Sequence, residues 1–171
     1  GDTTLSVGGC YYASQLNKVK NLQELKNIYL GPSYESKELL NTIKVFLKKN
    51  KNFKLLKIKN NQKIVNLLKN GKILGRFDGR MEMGQRSLGN RSIIADPRKL
   101  ETIKLINSKI KMRDFWMPFT PTILKKYEKK YLINKKDLSC PYMSMAFRTT
   151  QFFQKIAPAT IHPADQTTRP Q

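Results

Sequence analysis

Hydrophobic positions recur along the chain with two different periods, and the segments that show them alternate. Apolar residues three or four positions apart predict helices at residues 36–50, 62–72, 97–111 and 125–133. Short apolar runs bounded by glycine, proline or polar residues, or strict alternation, predict strands. The predicted strands are a strand end at 27–34, a strand at 53–58, a buried strand at 72–78, then 91–97, a strand ending near Leu124, and 141–150. This alternation of helices and strands predicts the α/β class.

The N-terminal segment differs in composition from the rest of the chain. Its first 20 residues are rich in small side chains and predict a close-packed helix that is too short to form a domain, with a boundary near residues 20–30. The chain starts without Met, so we expect a fragment of a longer protein. No apolar run approaches the roughly 20 residues of a membrane span, and no signal-peptide pattern is present. With only two cysteines, far apart in sequence, a reducing cytoplasm is the default prediction.

The formal charge of +21 raises nucleic acid as a partner. The lysines, however, are mixed with asparagine, isoleucine and leucine throughout 44–63 and 124–137, which is more typical of a solvated surface than of a binding patch. No zinc finger, basic zipper or aromatic RNA-binding motif supports a nucleic-acid site. Cys10 and Cys140 show neither disulfide-framework nor zinc spacing, and each is interpreted as a buried small residue.

Arginine, in contrast, is concentrated in one segment. None of the eight arginines precedes Arg76, and five lie between Arg76 and Arg98. The same segment contains three glycines spaced five residues apart, Gly79, Gly84 and Gly89. Arginine binds phosphate or carboxylate through paired hydrogen bonds, and glycine lets backbone N–H groups approach an anion. The segment therefore predicts an anion site between two strands.

A purely structural role for these arginines is the alternative. Asp78, Glu82 and Asp96 lie among them, and a network of ion pairs would use the same side chains. Three further cations, Lys109, Lys111 and Arg113, lie at the C-terminal end of a predicted helix, where they complement the helix dipole or one of them contacts a phosphate. The spacing of residues leaves both alternatives open.

Four ordered blocks of sequence resemble the C-terminal region of the NodU-type O-carbamoyltransferases. They are GRMEMGQRSLGNRSIIADPR, INSKIKMRDFWMPFTPTIL, PYMSMAF and IHPADQTTRPQ, and the resemblance extends over residues 28–171. The opening GDTTLSVGGCYYA resembles the end of the N-terminal catalytic domain of that family. Because the blocks occur in the family's order, the resemblance is specific.

The resemblance implies two domains and a two-step reaction. Residues 1–26 would be the end of a kinase-like domain of the ASKHA class. Residues 27–171 would be a C-terminally incomplete YrdC-like α/β domain, with a twisted mixed sheet and flanking helices. The YrdC-like domain would use ATP to convert carbamoyl phosphate to carbamoyl-adenylate and pyrophosphate. The kinase-like domain would transfer the carbamoyl group to a hydroxyl of a small acceptor such as a sugar, an antibiotic or a nodulation factor.

The implied cofactors are ATP with Mg²⁺, and an iron held in the kinase-like domain. The implied partners are carbamoyl phosphate and the acceptor. A homodimer stays open, and neither a membrane nor a nucleic acid is expected as a partner. The alternative function is a YrdC-like basic module that binds RNA or serves tRNA modification without carbamoyltransferase activity. The concentration of arginine favours a small phosphate ligand, since a nucleic-acid surface would spread its cations along a face.

The family motifs also imply the site residues. Arg86 and Lys111 match basic residues that contact the phosphates and the carbamoyl group, and they are the implied catalytic residues. Asp2 matches an aspartate that helps to bind the iron. The implied nucleotide-binding residues are Arg86, Asn90, Arg91, Lys111, Arg113 and Arg169.

Four features depart from the family pattern. Gln85 replaces a usual proline, and Met117 replaces an arginine that many members place beside the phosphates. The segment HPADQTTRPQ is one residue longer than its common form, which shifts the placement of His162. The family's closing Asn-Thr-Ser-Phe-Asn block, which completes the nucleotide pocket, is expected after Gln171.

Overall fold

A computed structural model describes residues 4–114 and 116–171 of the chain. The chain divides into two compact units. Unit 1 comprises residues 1–65 and 75–93, and unit 2 comprises residues 66–74 and 94–171. The described residues contain both helices and strands, in agreement with the predicted mixed α/β class.

The first three helices form close to their predicted positions. They are α1 (Leu5–Leu16), α2 (Ser36–Lys49) and α3 (Gln62–Lys69). At the end of α3, Gly71 adopts φ +74°, and the N–H of Lys72 donates to the carbonyl of Leu67 over 3.0 Å. This left-handed glycine ends the helix as its position in the sequence predicts. None of the described residues of these helices is buried, so the expected close packing of α1 is not observed.

A two-stranded sheet frames the arginine-rich segment. It consists of β1 (Leu74–Phe77) and β2 (Arg91–Ile94), and both strands were predicted. The expectation that β1 is buried is wrong, because three of its four residues are exposed. The segment between the strands, residues 78–90, is here called the arginine loop.

The hydrophobic core lies in unit 2. Phe153, Ala157 and Ile161 form its buried centre, and Ile123, Tyr131 and Ile156 pack against that centre. The surrounding helices are α4 (Glu101–Ile106), which continues as a π-helical turn over Asn107–Lys111, then α5 (Glu128–Tyr131) and α6 (Gln151–Ile156), with short 3-10 turns at Lys125–Tyr127 and Pro158–Thr160. An antiparallel sheet contains β3 (Leu132–Ile133), β4 (Phe147–Thr149) and β5 (Thr167–Thr168) in that order.

Several predicted strands do not form, and one helix was not predicted. Residues 27–34, 53–58 and the approach to Leu124 carry no strand, and the predicted strand at 141–150 shortens to β4. A strand needs a regularly paired neighbour, and residues 53–58 have none in the described structure. Segments 28–32 and 121–123 exchange backbone hydrogen bonds with residues 81–83 and with Gln171, respectively, but these bonds do not extend into a regular strand ladder. Helix α6 was missed because six residues are too few to show a clear helical period.

The sheets also differ from the single twisted mixed sheet that was expected. The described strands form two separate sheets of two and three strands. The interpretation of both cysteines as buried is wrong too, since Cys10 is exposed and Cys140 is partly exposed. Among the described residues, no helix is long and apolar enough to cross a membrane.

Thr150 starts α6, and its removal is expected to destabilise unit 2. Its Oγ1 accepts a hydrogen bond from the N–H of Phe153 (3.2 Å) and donates one to the carbonyl of Lys130 (3.0 Å). Thr150→Ala should lower the free energy of unfolding by about 1 kcal/mol, measured by urea denaturation. Thr150→Ser retains both bonds and serves as the control. Equal stabilities of the alanine and serine variants would contradict this role.

Candidate functional site

Glu82 is the centre of the arginine loop. Its side chain is 0% exposed. One carboxylate oxygen, Oε1, accepts the backbone N–H groups of Leu88 (2.6 Å), Asn90 (2.8 Å) and Arg91 (3.3 Å). The other, Oε2, accepts Nε of Arg91 over 2.9 Å. This carboxylate therefore joins the entry of the loop to its exit.

The hydrogen bonds to Glu82 also determine its protonation. Burial by itself would raise the pKa of the carboxyl group. The hydrogen bonds from Arg91 and from the backbone N–H groups of Leu88 and Asn90 outweigh burial and lower the pKa from 4.5 to about 2. Glu82 is consequently a carboxylate at neutral pH and a permanent acceptor for the loop.

Most arginines of this segment contact protein groups, and three of them form ion pairs with the three nearby acids. Arg91 pairs with Glu82, Arg76 pairs with Asp78, and Arg98 pairs with Asp96. Arg80 donates instead to two backbone carbonyls, those of Gly31 (2.8 Å) and Leu30 (3.1 Å). The structural alternative therefore accounts for Arg76, Arg91 and Arg98.

Arg86 is the exception in this segment. Its side chain is exposed and contacts no partner within the described part of the chain. Within the same described part, the backbone N–H groups of residues 84–87 donate to no protein acceptor. Gly84 begins this stretch with φ of +90°, and Gly89 follows it with φ of +113°, a conformation that residues with a side chain rarely adopt. A free guanidinium beside free N–H groups is an arrangement suited to an anion.

Asn90 takes part in holding the loop. Its Oδ1 accepts Nη1 of Arg76 (3.1 Å), and its Nδ2 donates to the carbonyl of Arg80 (2.7 Å). Arg91 similarly donates from Nη2 to the carbonyls of Glu82 (3.0 Å) and Gly84 (3.4 Å). Two of the predicted ligand-binding residues in unit 1 thus contact protein groups around Arg86.

Unit 2 contains a second turn that carries candidate residues, here called the lysine turn (residues 107–114 and 116–117). Asn107 is 0% exposed, and its Nδ2 donates to the carbonyl of Met117 (3.0 Å). Its Oδ1 accepts Nε of Arg113 over 2.6 Å, and the guanidinium of Arg113 lies 4.5 Å from the centre of the Phe119 ring. Lys111 ends the π-helical turn, is exposed and contacts no partner in the described ranges. π-Helical turns occur frequently at functional sites.

The C-terminal candidates lie beside β5. Arg169 follows this strand directly, and its exposed side chain has no partner among the described residues. Nδ1 of His162 lies 3.3 Å from a carboxylate oxygen of Asp165. The backbone N–H and hydroxyl of Thr167 donate to Asp165 and lower the pKa of its carboxyl group. Asp165 is therefore held by Thr167, whereas Nδ1 of His162 makes no hydrogen bond within the described residues.

The candidate residues form one set in each unit. Arg86, Asn90 and Arg91 share the arginine loop and the start of β2 in unit 1, and Lys111, Arg113 and Arg169 lie in unit 2. Asp2, the implied iron ligand, lies outside the described residues. Residues 4–114 and 116–171 contain no group of three or more histidine, cysteine, aspartate or glutamate residues that could hold a metal ion.

The sequence did not predict the two buried residues, Glu82 and Asn107, whose side chains hold these loops together. Glu82 was considered only as an ion-pair partner, and Asn107 was not considered. The position of Glu82 between Gly79 and Gly84 was a usable signal, since a carboxylate within a tight loop accepts backbone N–H groups. For Asn107 the sequence offers no comparable signal.

Comparison with known proteins identifies the family. The sequence model of the protein family described as "Carbamoyltransferase C-terminus" matches residues 65–171. The chain belongs to this family. The uncharacterized protein MJ1051 of Methanocaldococcus jannaschii is 35% identical over 167 residues, which is 96% of this chain and 32% of that protein. The uncharacterized protein MJ1058 of the same organism is 34% identical over 151 residues, which is 88% of this chain and 24% of that protein.

A third relative is the nodulation protein NolO of Bradyrhizobium diazoefficiens. It is 34% identical over 94 residues, which is 54% of this chain and 17% of that protein. The predicted resemblance to the C-terminal region of carbamoyltransferases is thereby confirmed. The chain spans about a quarter to a third of the length of the two archaeal relatives.

Proposed function

We propose that the full-length protein is an O-carbamoyltransferase and that this region prepares the carbamoyl group for transfer with ATP. Arg86 is the observation that carries the proposal. The chain belongs to the carbamoyltransferase C-terminal family. Within its arginine-rich segment, the side chain of Arg86 contacts no partner among the described residues. The backbone N–H groups of residues 84–87, adjacent to it in sequence, donate to no acceptor within the described part of the chain and suit phosphate oxygens.

The proposed activation of the carbamoyl group takes place in two steps. Water first releases phosphate from carbamoyl phosphate and leaves carbamate. A carbamate oxygen then attacks the α-phosphorus of ATP, and pyrophosphate leaves as carbamoyl-adenylate forms. Negative charge increases on the transferred phosphate during this attack, and fixed cations stabilise it. Carbamate is a poor electrophile, whereas its adenylate has a stable phosphate leaving group.

The chain offers residues for each part of this chemistry. Arg86, Lys111 and Arg169 have side chains that are exposed and without partners among the described residues, so we propose that they contact phosphate and carbamoyl oxygens. We propose that Asn90 and Arg91 support Arg86 by holding the arginine loop, and that Arg113 supports Lys111 by holding the lysine turn. Mg²⁺ would enter with ATP, bound to its phosphate oxygens.

The domain assignment forms part of the same proposal. Residues 27–171 would belong to a YrdC-like activation domain, and residues 1–26 to the end of a kinase-like transfer domain in which Asp2 contributes to an iron site. The acceptor would be a small molecule with a free hydroxyl group. Similarity to the nodulation protein NolO makes a nodulation-factor-like acceptor one candidate, beside sugars and antibiotics.

Arg86→Ala tests the proposed site. Calorimetric titration of the full-length protein with ATP and carbamoyl phosphate should show about 10- to 100-fold weaker binding in this variant, because hydrogen bonds to charged groups contribute about 1.5–3 kcal/mol. Arg148→Ala is the matched control. It removes the same charge from another exposed arginine whose side chain has no partner among the described residues, and it should bind like the wild type.

Equal weakening in both variants would show that only the overall positive charge matters. That result, together with salt-sensitive RNA binding that ATP does not displace, would favour the RNA-binding alternative. Unchanged binding by Arg86→Ala would remove Arg86 from the site.

A further inference from the structure

We propose that Glu82 is a positioning residue that holds Arg86 ready to bind the phosphates of the nucleotide. This inference rests on the proposed function. Glu82 itself contacts neither Arg86 nor the free N–H groups of residues 84–87. It would act through the backbone, by closing the loop that carries them.

The hydrogen bonds of Glu82 link two positions on either side of Arg86. Glu82 precedes the free N–H groups, and its N–H donors, Leu88 and Asn90, follow them. A second connection runs in parallel, because Nη2 of Arg91 reaches the carbonyls of Glu82 and Gly84. The intervening residues are therefore confined at both ends, and Arg86 protrudes from a closed loop. Such confinement lowers the entropy that Arg86 would lose when it binds a ligand.

The four hydrogen bonds that the Glu82 side chain accepts require a carboxylate at this position. Three backbone N–H groups converge on Oε1, and a guanidinium nitrogen approaches Oε2. In Glu82→Gln, the amide oxygen can replace Oε1, but the amide NH₂ would face the Nε–H of Arg91. Two donors then oppose each other, and the bond to Arg91 is lost. The substitution therefore removes the hydrogen bond at Oε2, keeps the acceptor at Oε1, and leaves the size of the side chain unchanged.

The direction in which Glu82→Gln changes the affinity for ATP distinguishes a positioning role from a purely electrostatic one. Glu82→Gln removes a negative charge near the proposed phosphate site. If charge alone controlled affinity, the variant would bind ATP more tightly. If Glu82 positions Arg86, the variant binds ATP more weakly despite its more positive loop. A carboxylate needed only for folding would leave the ATP affinity of the folded protein unchanged.

The experiment is a double-mutant cycle of Glu82→Gln and Arg86→Ala in the full-length protein, with the dissociation constant of MgATP measured by calorimetry. We expect each single variant to bind about 10-fold more weakly or worse. The double variant should lose less than about 3-fold beyond Arg86→Ala, because an unpositioned arginine contributes little. The control is Asp96→Asn, which removes the carboxylate partner of Arg98 and the same charge. It should change affinity by less than about 2-fold.

Each other outcome overturns one identifiable statement. If Arg86→Ala weakens binding by the same factor in both backgrounds, or if Glu82→Gln tightens it, Glu82 does not position Arg86 and the proposed function stands. If the wild type does not bind MgATP, or Arg86→Ala binds it normally, the proposed nucleotide site is wrong, and the positioning role falls with it. Glu82→Asp, which keeps the charge but shortens the side chain by one methylene, replaces Glu82→Gln in the cycle if the latter does not fold.

Discussion

Glu82→Ala is expected to open the arginine loop, with a loss of about 3 kcal/mol in the free energy of local opening. The substitution leaves Nε of Arg91 and the backbone N–H groups of Leu88 and Asn90 without their acceptor. Removing one partner of a buried ion pair costs about 3–5 kcal/mol. The direct measurement is hydrogen exchange of the Leu88 and Asn90 amides, which should become about 100-fold faster.

Two comparisons make this prediction specific. Asp78→Ala removes an ion pair with Arg76 in which both side chains are well exposed, at 41% and 65%, and exposed pairs contribute about 0–1 kcal/mol. Its effect on the Leu88 amide should therefore be small. Unchanged protection of Leu88 and Asn90 in Glu82→Ala would show that the carboxylate does not close the loop.

The same carboxylate predicts how the loop responds to acid. The pKa of Glu82 is lowered in the folded state to about 2 from 4.5, so its stabilisation is complete above the unfolded value. Stabilisation is lost as the pH falls from about 5 towards 2, and the total loss is roughly 3 kcal/mol. Protection of the Leu88 amide, corrected for intrinsic exchange, should fall over this range in the wild type and stay nearly constant in Glu82→Gln.

Asn107→Ala is expected to destabilise unit 2 by about 2–3 kcal/mol. Asn107 is fully buried. Its replacement by alanine removes the hydrogen bonds that its side chain makes to the carbonyl of Met117 and to Nε of Arg113. Unsatisfied buried groups cost about 1–3 kcal/mol each, and more when they are charged. Trp116, the single tryptophan of the chain, lies in the same turn, and its fluorescence during urea denaturation reports the change.

The neighbouring residue provides the control for Asn107. Ser108 is exposed, and its hydroxyl donates only to the carbonyl of Lys104 one turn earlier. Ser108→Ala should change the stability by less than about 0.5 kcal/mol. If Asn107→Ala behaves like Ser108→Ala, the lysine turn does not depend on the buried amide.

The sequence predicted the elements whose signal is local. Helices α2 and α3 show a clear apolar period, and Gly71 ends α3 where it was expected. The residues 53–58 fulfil the local pattern of a strand but have no strand beside them in the described structure. Pairing between distant segments is a tertiary property, and composition does not report it.

The candidate site was predicted to a similar extent. Clustering of arginine located the loop, and the family motifs singled out Arg86 among its arginines. The sequence could not distinguish an anion site from an ion-pair network, because both use the same residue types. The structure pairs Arg91 with Glu82 and gives Arg86 no partner in the described ranges, and the proposed anion site rests on this difference. Only three-dimensional contacts separate these two arginines.

Exchange of labelled pyrophosphate into ATP, catalysed by the full-length protein, tests the proposed activation step most directly. Exchange requires reversible formation of carbamoyl-adenylate, so it should depend on added carbamoyl phosphate. We predict carbamoyl-phosphate-dependent exchange in the wild type and in Arg148→Ala, and a loss of about 10- to 100-fold in Arg86→Ala. Exchange that is absent from a wild-type protein that binds ATP, or that is unchanged in Arg86→Ala, would contradict the role assigned to the arginine loop.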